Sequence, residues 1–516
     1  MWRGWLTAFG PAVASGALLG LSFPPFGLYG LAWVALVPLL GRLRESGSAR
    51  RMGIEAYAAF LTSYAIAFSW PLAHALPQTA FLSLSPLLLL PMALALPFAL
   101  ASLVQNRLGA RLGGVFFVAA YLVAEGALSR GPLAFPWSLL GHSQAEALAF
   151  NQIAEWTGVP GLTLWVLLLN VTLGGTLAAS HRKRWSLLAT FALLIALPFG
   201  LSRLLLDRLP APQRHVPVGL VQPATNPLAW ADVQDTTRID DLLSLSDRLY
   251  REMAASPALI LWPETALPVL PSSSEQAKVY QQLQAWADVR QVALLAGAIR
   301  PASGPGEPTA YFNSALLFQP GRPRATYDKV RLVPLAERVP FVDRLPWLER
   351  LAIPAGGVAG YRPGPPREVL HVDAPGAGTV DVGVLICFES VFGNAARRYV
   401  EQGADVLVVL TQDGWWGRTA GYRQHLAFTR LRAIETRRAV MQAAVTGTSA
   451  LILPSGTSAF ETGWMERTTR LADVPVYTGT TFYARHGDLI TPLAFLITVV
   501  LGASALVTRK PPAKQV

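Results

Sequence analysis

Apolar residues fall in two patterns along the chain. In the first 210 positions and again near the end they form long runs, near 5–23, 26–41, 54–75, 80–104, 113–129, 160–179, 185–205 and 488–507. Most approach the roughly 20 residues that a helix needs to cross the hydrocarbon layer. Each predicts a transmembrane helix, although 26–41 and 113–129 are short for the task. Between 211 and 480 the pattern changes. HVPVGLVQ, ALILWPE, QVALLAGAI, DVGVLIC, ADVLVVLTQD and RAVMQAAV are short apolar runs that predict buried strands. TTRIDDLLSLSDRLYREMAA, SSSEQAKVYQQLQAWADV and GYRQHLAFTRLRAIETRR predict helices between them, the second with Ser272 and Glu275 placed for a capping box. YFNSALLFQPGRPRATYDK predicts a hairpin turning at its Gly-Arg-Pro. Alternating strands and helices predict a layered α/β domain of about 270 residues, large enough for its own core. The expected organisation is therefore 1–210 with seven spans, 211–480 as a globular domain, and 481–516 with an eighth span and a short tail.

Composition strengthens the membrane reading, because 52% of the residues are hydrophobic and only 15% charged. The net charge of +11 would suit nucleic acid, but the basic residues punctuate the apolar runs and form no stripe, which argues against that partner. They orient the spans instead. Arg42, Arg44, Arg50 and Arg51 follow the second run, Arg107 and Arg111 the fourth, Arg182, Lys183 and Arg184 the sixth, and Arg509, Lys510 and Lys514 the eighth. SFPPFG and HALPQT have none, and the connection over 130–159 has only Arg130. Short loops rich in Lys and Arg stay in the cytoplasm, so both chain ends fall inside and 211–480 falls outside. Arg3 and the small residues of AVASGA also fit a signal peptide, whose removal would leave this orientation unchanged.

Cys387 is the only cysteine, which excludes a disulfide within the chain and leaves either inert packing or a working thiol. It ends an apolar run and precedes FESVFGNAARRYV, an expected helix start where the dipole favours a thiolate. In layered α/β domains reactive residues gather beyond the carboxyl ends of strands. Glu264 and Asp413 occupy that position too, and Lys329 follows the hairpin. Taken singly, Glu264 and Lys329 equally suit solvated loops. Over 353–368 a run rich in Gly and Pro predicts a long surface loop, either a lid or a plain connection. Glu125, inside the fifth apolar run, suits a snorkelling or interface-bonded acid as well as a functional one. His74 and His142 have no ligand spacing, HExxH is absent, and neither a metal nor a cofactor is expected.

Taken together, Glu264, Lys329 and Cys387 in this order resemble the triad of the nitrilase superfamily. Three motifs, WPETALP, DKVRLVPLAERVP and GVLICFES, combined with eight apolar runs, more closely resemble the apolipoprotein N-acyltransferase family, its membrane member. LSFPPFGLYGLAW, FPWSLLGHSQ and GVPGLTLWVLLLN extend the resemblance through the apolar region. It implies a polytopic α-helical membrane domain joined to a nitrilase-like αββα sandwich. It further implies an enzyme of the bacterial inner membrane with its catalytic domain on the periplasmic side. The implied roles are general base for Glu264, oxyanion stabiliser for Lys329 and nucleophile for Cys387. Glu337, Glu389, Phe388, Trp230 and Trp415 are implied as supporting or substrate-binding residues. Trp230 equally suits an aromatic half-buried in a loop, and Trp415 with Trp416 equally suits interface anchoring. The implied acyl donor is a phospholipid, with phosphatidylethanolamine expected, and the implied acceptor a diacylglyceryl-modified apolipoprotein. The chain departs from the family's usual KxHLVPFGEYVP at Arg331, Leu335, Ala336 and Arg338, and has Phe388 where tyrosine is common. A membrane-tethered amidase sharing the triad, and a transporter or receptor with an external binding domain, are the competing readings.

Overall fold

The computed structural model describes residues 2–75, 77–230, 237–252, 257–269, 273–301, 310–351, 360–366, 368–374 and 378–508. Ser272, half of the 353–368 loop and the basic residues from Arg509 onward lie outside them. The chain divides into two compact units, one of 1–72, 83–208 and 486–516, the other of 73–82 and 209–485.

The first unit is helical. Among the described residues, five of its helices are long and apolar enough to cross a membrane: Leu84–Leu108, Ala110–Leu128, Asn151–Leu177, His181–Asp207 and Ile490–Val507. Leu89, Met92, Leu193, Phe495 and Leu496 point outward from them, a surface suited to hydrocarbon rather than water. Helices Trp2–Ser22 and Ala49–Ala67 also pack here. Gly16 and Gly20, four apart, let the two backbones approach, since a Cβ on Gly16 would lie 2.1 Å from the Ala59 carbonyl oxygen. The run at 26–41 is not one helix. It breaks into a 3-10 turn, Tyr29–Trp33, and a nine-residue helix, Val37–Glu45. Nine residues rise only about 14 Å. Asn170 compensates the broken backbone by accepting from the Leu36 N–H at 2.8 Å and donating to the Ala32 carbonyl at 2.7 Å. Glu125 does not snorkel. It is buried, accepting the Leu140 N–H at 2.5 Å and the Thr163 hydroxyl at 2.7 Å, and so pins the 136–144 turns to helix Asn151–Leu177.

Among its described residues the second unit holds twelve strands: β1 (Arg214–Gln222), β2 (Leu259–Leu267), β3 (Ala293–Pro301), β4 (Tyr311–Gln319), β5 (Arg322–Asp328), β6 (Leu370–Ala374), β7 (Gly378–Ile386), β8 (Val406–Thr411), β9 (Val440–Ala444), β10 (Ala450–Ile452), β11 (Ser458–Glu461) and β12 (Thr468–Val476). They form two six-stranded sheets, ordered β12-β1-β2-β3-β4-β5 and β11-β10-β9-β8-β7-β6. Each has a parallel centre, β1-β2-β3 in one and β7-β8-β9 in the other, with antiparallel strands outside. Central parallel strands are covered on both faces, which is why β8, Val-Leu-Val-Val-Leu-Thr, is buried throughout. Helices Thr237–Glu252 and Ser273–Arg290 cover the first sheet, Gly393–Glu401 and Ala420–Thr436 the second, and the sheets face one another, giving an αββα sandwich. Trp262, Leu294, Leu316 and Phe318 lie in the first sheet's core, where Trp262 donates to Ser246 Oγ at 2.8 Å.

Candidate active site

The chemistry-bearing residues come from an irregular stretch within β2 and from the turns that follow β5 and β7. Glu264 lies in β2 where its pairing with β3 shifts register, and Thr265 after it has φ +53. Lys329 follows β5, its N–H donating to the Asn313 carbonyl at 2.8 Å. Cys387 follows β7 with φ +49 and opens a 3-10 turn, Cys387–Val391, ahead of helix Gly393–Glu401. Leu335, two residues before Glu337, has φ +68. Left-handed backbone at non-glycine residues costs about 1–3 kcal/mol each and collects where function requires a fixed turn.

All three side chains are buried, Lys329 at 1% exposure, Glu264 at 6% and Cys387 at 8%, so the solvated-loop alternatives for the two charged residues do not hold. Lys329 Nζ lies 2.8 Å from Glu337 Oε1 and 3.3 Å from Glu264 Oε1. Asn313 Nδ2 spans the same two oxygens, donating to Glu264 at 2.8 Å and to Glu337 at 3.1 Å. The other Glu264 oxygen accepts the Gln412 N–H at 2.9 Å, and the other Glu337 oxygen accepts the Val333 N–H at 2.7 Å. A buried ammonium is thus shared by two held carboxylates, the condition under which a buried charge persists.

These charges set the protonation states. Burial pulls the Lys329 pKa down, but Glu337 and Glu264 outweigh it and the net movement is upward, so the lysine stays cationic. Burial raises the Glu264 carboxyl, Lys329 opposes the rise, Glu337 adds to it, and the carboxyl ends above the usual range. Burial and then Glu264 raise the Cys387 thiol well above its ordinary value, with Lys329 pulling the other way. The expected dipole-favoured thiolate is therefore not the resting state. The turn following Cys387 is a short 3-10 segment, and burial beside a carboxylate dominates. A protonated thiol beside a carboxylate poised to take its proton, with a cation at hand for the charge that develops next, is suited to nucleophilic attack on a carbonyl.

Glu389 joins the lysine turn to the cysteine turn. One oxygen accepts the Val330 and Arg331 N–H groups, each at 3.0 Å, and the other accepts the Tyr327 hydroxyl at 2.7 Å and the Ile386 N–H at 3.0 Å. Phe388 is buried edge-on to Phe392, ring centres 5.1 Å apart. Trp415 is half-buried and stacks on His74 at 5.5 Å, while its carbonyl accepts the Ala75 N–H at 2.7 Å. Trp230 ends the short helix Pro227–Trp230, and its side chain lies outside the described part. Sequence reading missed Asn313, one polar residue in a hairpin strand, and His425, one polar residue in a helix that is buried along nearly its whole length. Among the described residues no three His, Cys, Asp or Glu side chains gather as a metal site would require.

The model for the apolipoprotein N-acyltransferase N-terminal domain matches residues 15–172, and that for carbon-nitrogen hydrolase matches 218–482. An apolipoprotein N-acyltransferase of Chlorobaculum tepidum is 30% identical, over 96% of this chain and 96% of its own. Another, of Geobacter metallireducens, is 31% identical over 93% of this chain and 91% of its own. Among solved structures, a mutant amidase from Nesterenkonia sp. AN1 is 20% identical with a TM-score of 0.40, covering 54% of this chain and 100% of the amidase.

Proposed function

The chain belongs to the apolipoprotein N-acyltransferase family, and we propose that it performs acyl transfer with Cys387 as nucleophile, Glu264 as general base and Lys329 as the oxyanion partner. The observation that carries this reading is the buried grouping in which Lys329 bridges Glu264 and Glu337 while both Glu264 and Lys329 act on the Cys387 thiol.

Glu264 takes the thiol proton as sulfur attacks the ester carbonyl of a phospholipid, and Lys329 faces the negative oxygen of the tetrahedral intermediate. The ester C–O bond then breaks, Glu264 returns the proton to the departing oxygen, and a lysophospholipid leaves behind an acyl thioester on Cys387. In the second half the α-amine of a diacylglyceryl-cysteine attacks that thioester. The C–S bond breaks, the amide forms, and the amine proton passes through Glu264 to the sulfur. Exclusion of water from so buried a thioester favours the amine over hydrolysis.

Glu337 and Glu389 are assigned to holding the lysine and cysteine turns, and Trp230, Phe388 and Trp415 to substrate contact or support. The placement of Lys and Arg supports an extracytoplasmic 211–480, which is assigned as a periplasmic catalytic domain between membrane-embedded residues 1–210 and 481–516 of the bacterial inner membrane; of the eight expected spans, the one over 26–41 is not a continuous helix. Phosphatidylethanolamine is the expected donor, which a panel with phosphatidylglycerol and cardiolipin would test.

The decisive experiment gives the full-length protein a phospholipid and then a diacylated lipopeptide, following both by mass spectrometry. The expected outcome is a fatty-acyl adduct on Cys387 that disappears as triacylated peptide forms, with neither species in Cys387→Ala. Free fatty acid without acylated peptide would favour the hydrolase instead.

A further inference from the structure

Behind Cys387 lies a second buried constellation that the acyl-transfer scheme does not use. Asp413 opens the turn after β8, His425 sits in the second turn of helix Ala420–Thr436, and Ser390 lies in the Cys387–Val391 turn; all three are fully buried. His425 Nδ1 is 2.8 Å from Asp413 Oδ1. Its Nε2 is 2.7 Å from Ser390 Oγ and 3.1 Å from the Cys387 carbonyl oxygen, to which Ser390 Oγ also donates at 2.9 Å. Ser, His and Asp stand as in a hydrolytic triad, yet the hydroxyl proton is committed to the Cys387 carbonyl and no member reaches solvent. This arrangement holds a backbone rather than attacking a substrate.

The protons can be assigned from the acceptors. A carboxylate only accepts, so Nδ1 carries a proton toward Asp413. With the single Ser390 hydroxyl proton given to the Cys387 carbonyl, Nε2 is the donor in its own contacts with Ser390 Oγ and that carbonyl, and the ring so bonded is an imidazolium. Burial opposes that charge, but Asp413 outweighs burial, and Glu264 on β2 acts in the same sense as Asp413. Arg432 and Glu435, further along the same helix, pair with each other. Thr411 at the end of β8 donates to Asp413 Oδ1 at 2.8 Å. The network thus runs from Thr411 through Asp413 and His425 to the Cys387 carbonyl. At its centre Cys387 holds φ +49, which an L-residue keeps only where its surroundings over-determine it.

We propose that His425 is a positioning residue for acyl transfer: held as an imidazolium between Asp413 and the Cys387 carbonyl, it fixes the left-handed turn from which the thiol attacks. This rests on the thioester reading of the site.

The test uses full-length protein in nanodiscs with a varied mole fraction of phosphatidylethanolamine, measuring the rate of adduct formation on Cys387. His425→Ala is expected to slow the maximal rate about 10²-fold, the cost of misplacing a reacting atom. The half-saturating donor fraction should stay unchanged. His425→Gln keeps an N–H for the Cys387 carbonyl and should recover part of the loss. Asp413→Asn removes the anion that keeps the imidazole charged and should also slow the maximal rate. A wild-type rate in His425→Ala would overturn the proposal, as would parallel losses of rate and donor affinity that Gln does not restore. If the alanine protein does not fold, wild-type rates in both His425→Gln and Asp413→Asn would overturn it. Absence of any adduct on the wild-type protein would instead strike down the thioester reading beneath it.

Discussion

Two carboxylates share one ammonium at the site, and that inequality governs how each acid titrates. Glu337 disfavours the ionised form of Glu264, while Lys329, divided between them, favours it only in part. Because Glu264 ends above the 4.5 of an ordinary glutamate, the acid limb of kcat/KM for thioester formation should lie above that pH. Glu337→Gln removes the opposing charge and leaves Lys329 to Glu264 alone, so the limb should move to lower pH. A pH profile of the two proteins measures it, and a shift upward would contradict this electrostatic account. At this scale the sequence was readable where a polar residue interrupts an apolar run, as at Glu264 and Cys387. Asn313 and His425 were not readable, because their significance comes from partners far along the chain. His425 touches a carbonyl 38 positions away, with nothing local to mark it.

The elements succeed or fail as predicted for reasons of packing. Parallel strands buried on both faces left continuous apolar runs that survived into β1, β2, β3, β7, β8 and β9. The run at 26–41 was also apolar but is broken, and Asn170 gives two of its freed backbone groups the partners a helix would otherwise provide. Neighbouring strands also fit closely enough to exclude a methyl group. A Cβ on Gly297 in β3 would come within 2.3 Å of the Pro263 carbonyl oxygen and 2.7 Å of Glu264 Cα, so this glycine lets β2 carry the acid past its neighbour. Gly297→Ala should destabilise the protein by about 1–3 kcal/mol, as overpacking does. It should lower thioester formation further by displacing Glu264. Thermal unfolding and adduct kinetics on the same sample separate the two effects, and an unchanged protein in both would show that the strands part freely.

For the whole molecule, the long apolar runs and the charged block between them were visible at once, and the αββα sandwich was expected through the family resemblance; the order of strands within its two sheets was not legible, because strand order is not written in strand sequence. The proposed orientation can be checked with reporters fused at residues 48 and 300. The first should report cytoplasm and the second periplasm; a cytoplasmic signal from residue 300 would reverse the assignment drawn from Lys and Arg. Glu264 and Lys329 belong to one sheet and Cys387 to the other, so neither sheet alone contains the chemistry. The first sheet, moreover, seats β12 beside β1 along nine paired positions, from Arg214 with Val476 to Gln222 with Thr468. A ribosome releases these partners at opposite ends of the same interval. The sulfur has therefore already been synthesised while β1 still awaits its outer neighbour, and the first sheet gains its edge strand only after Val476 has been delivered.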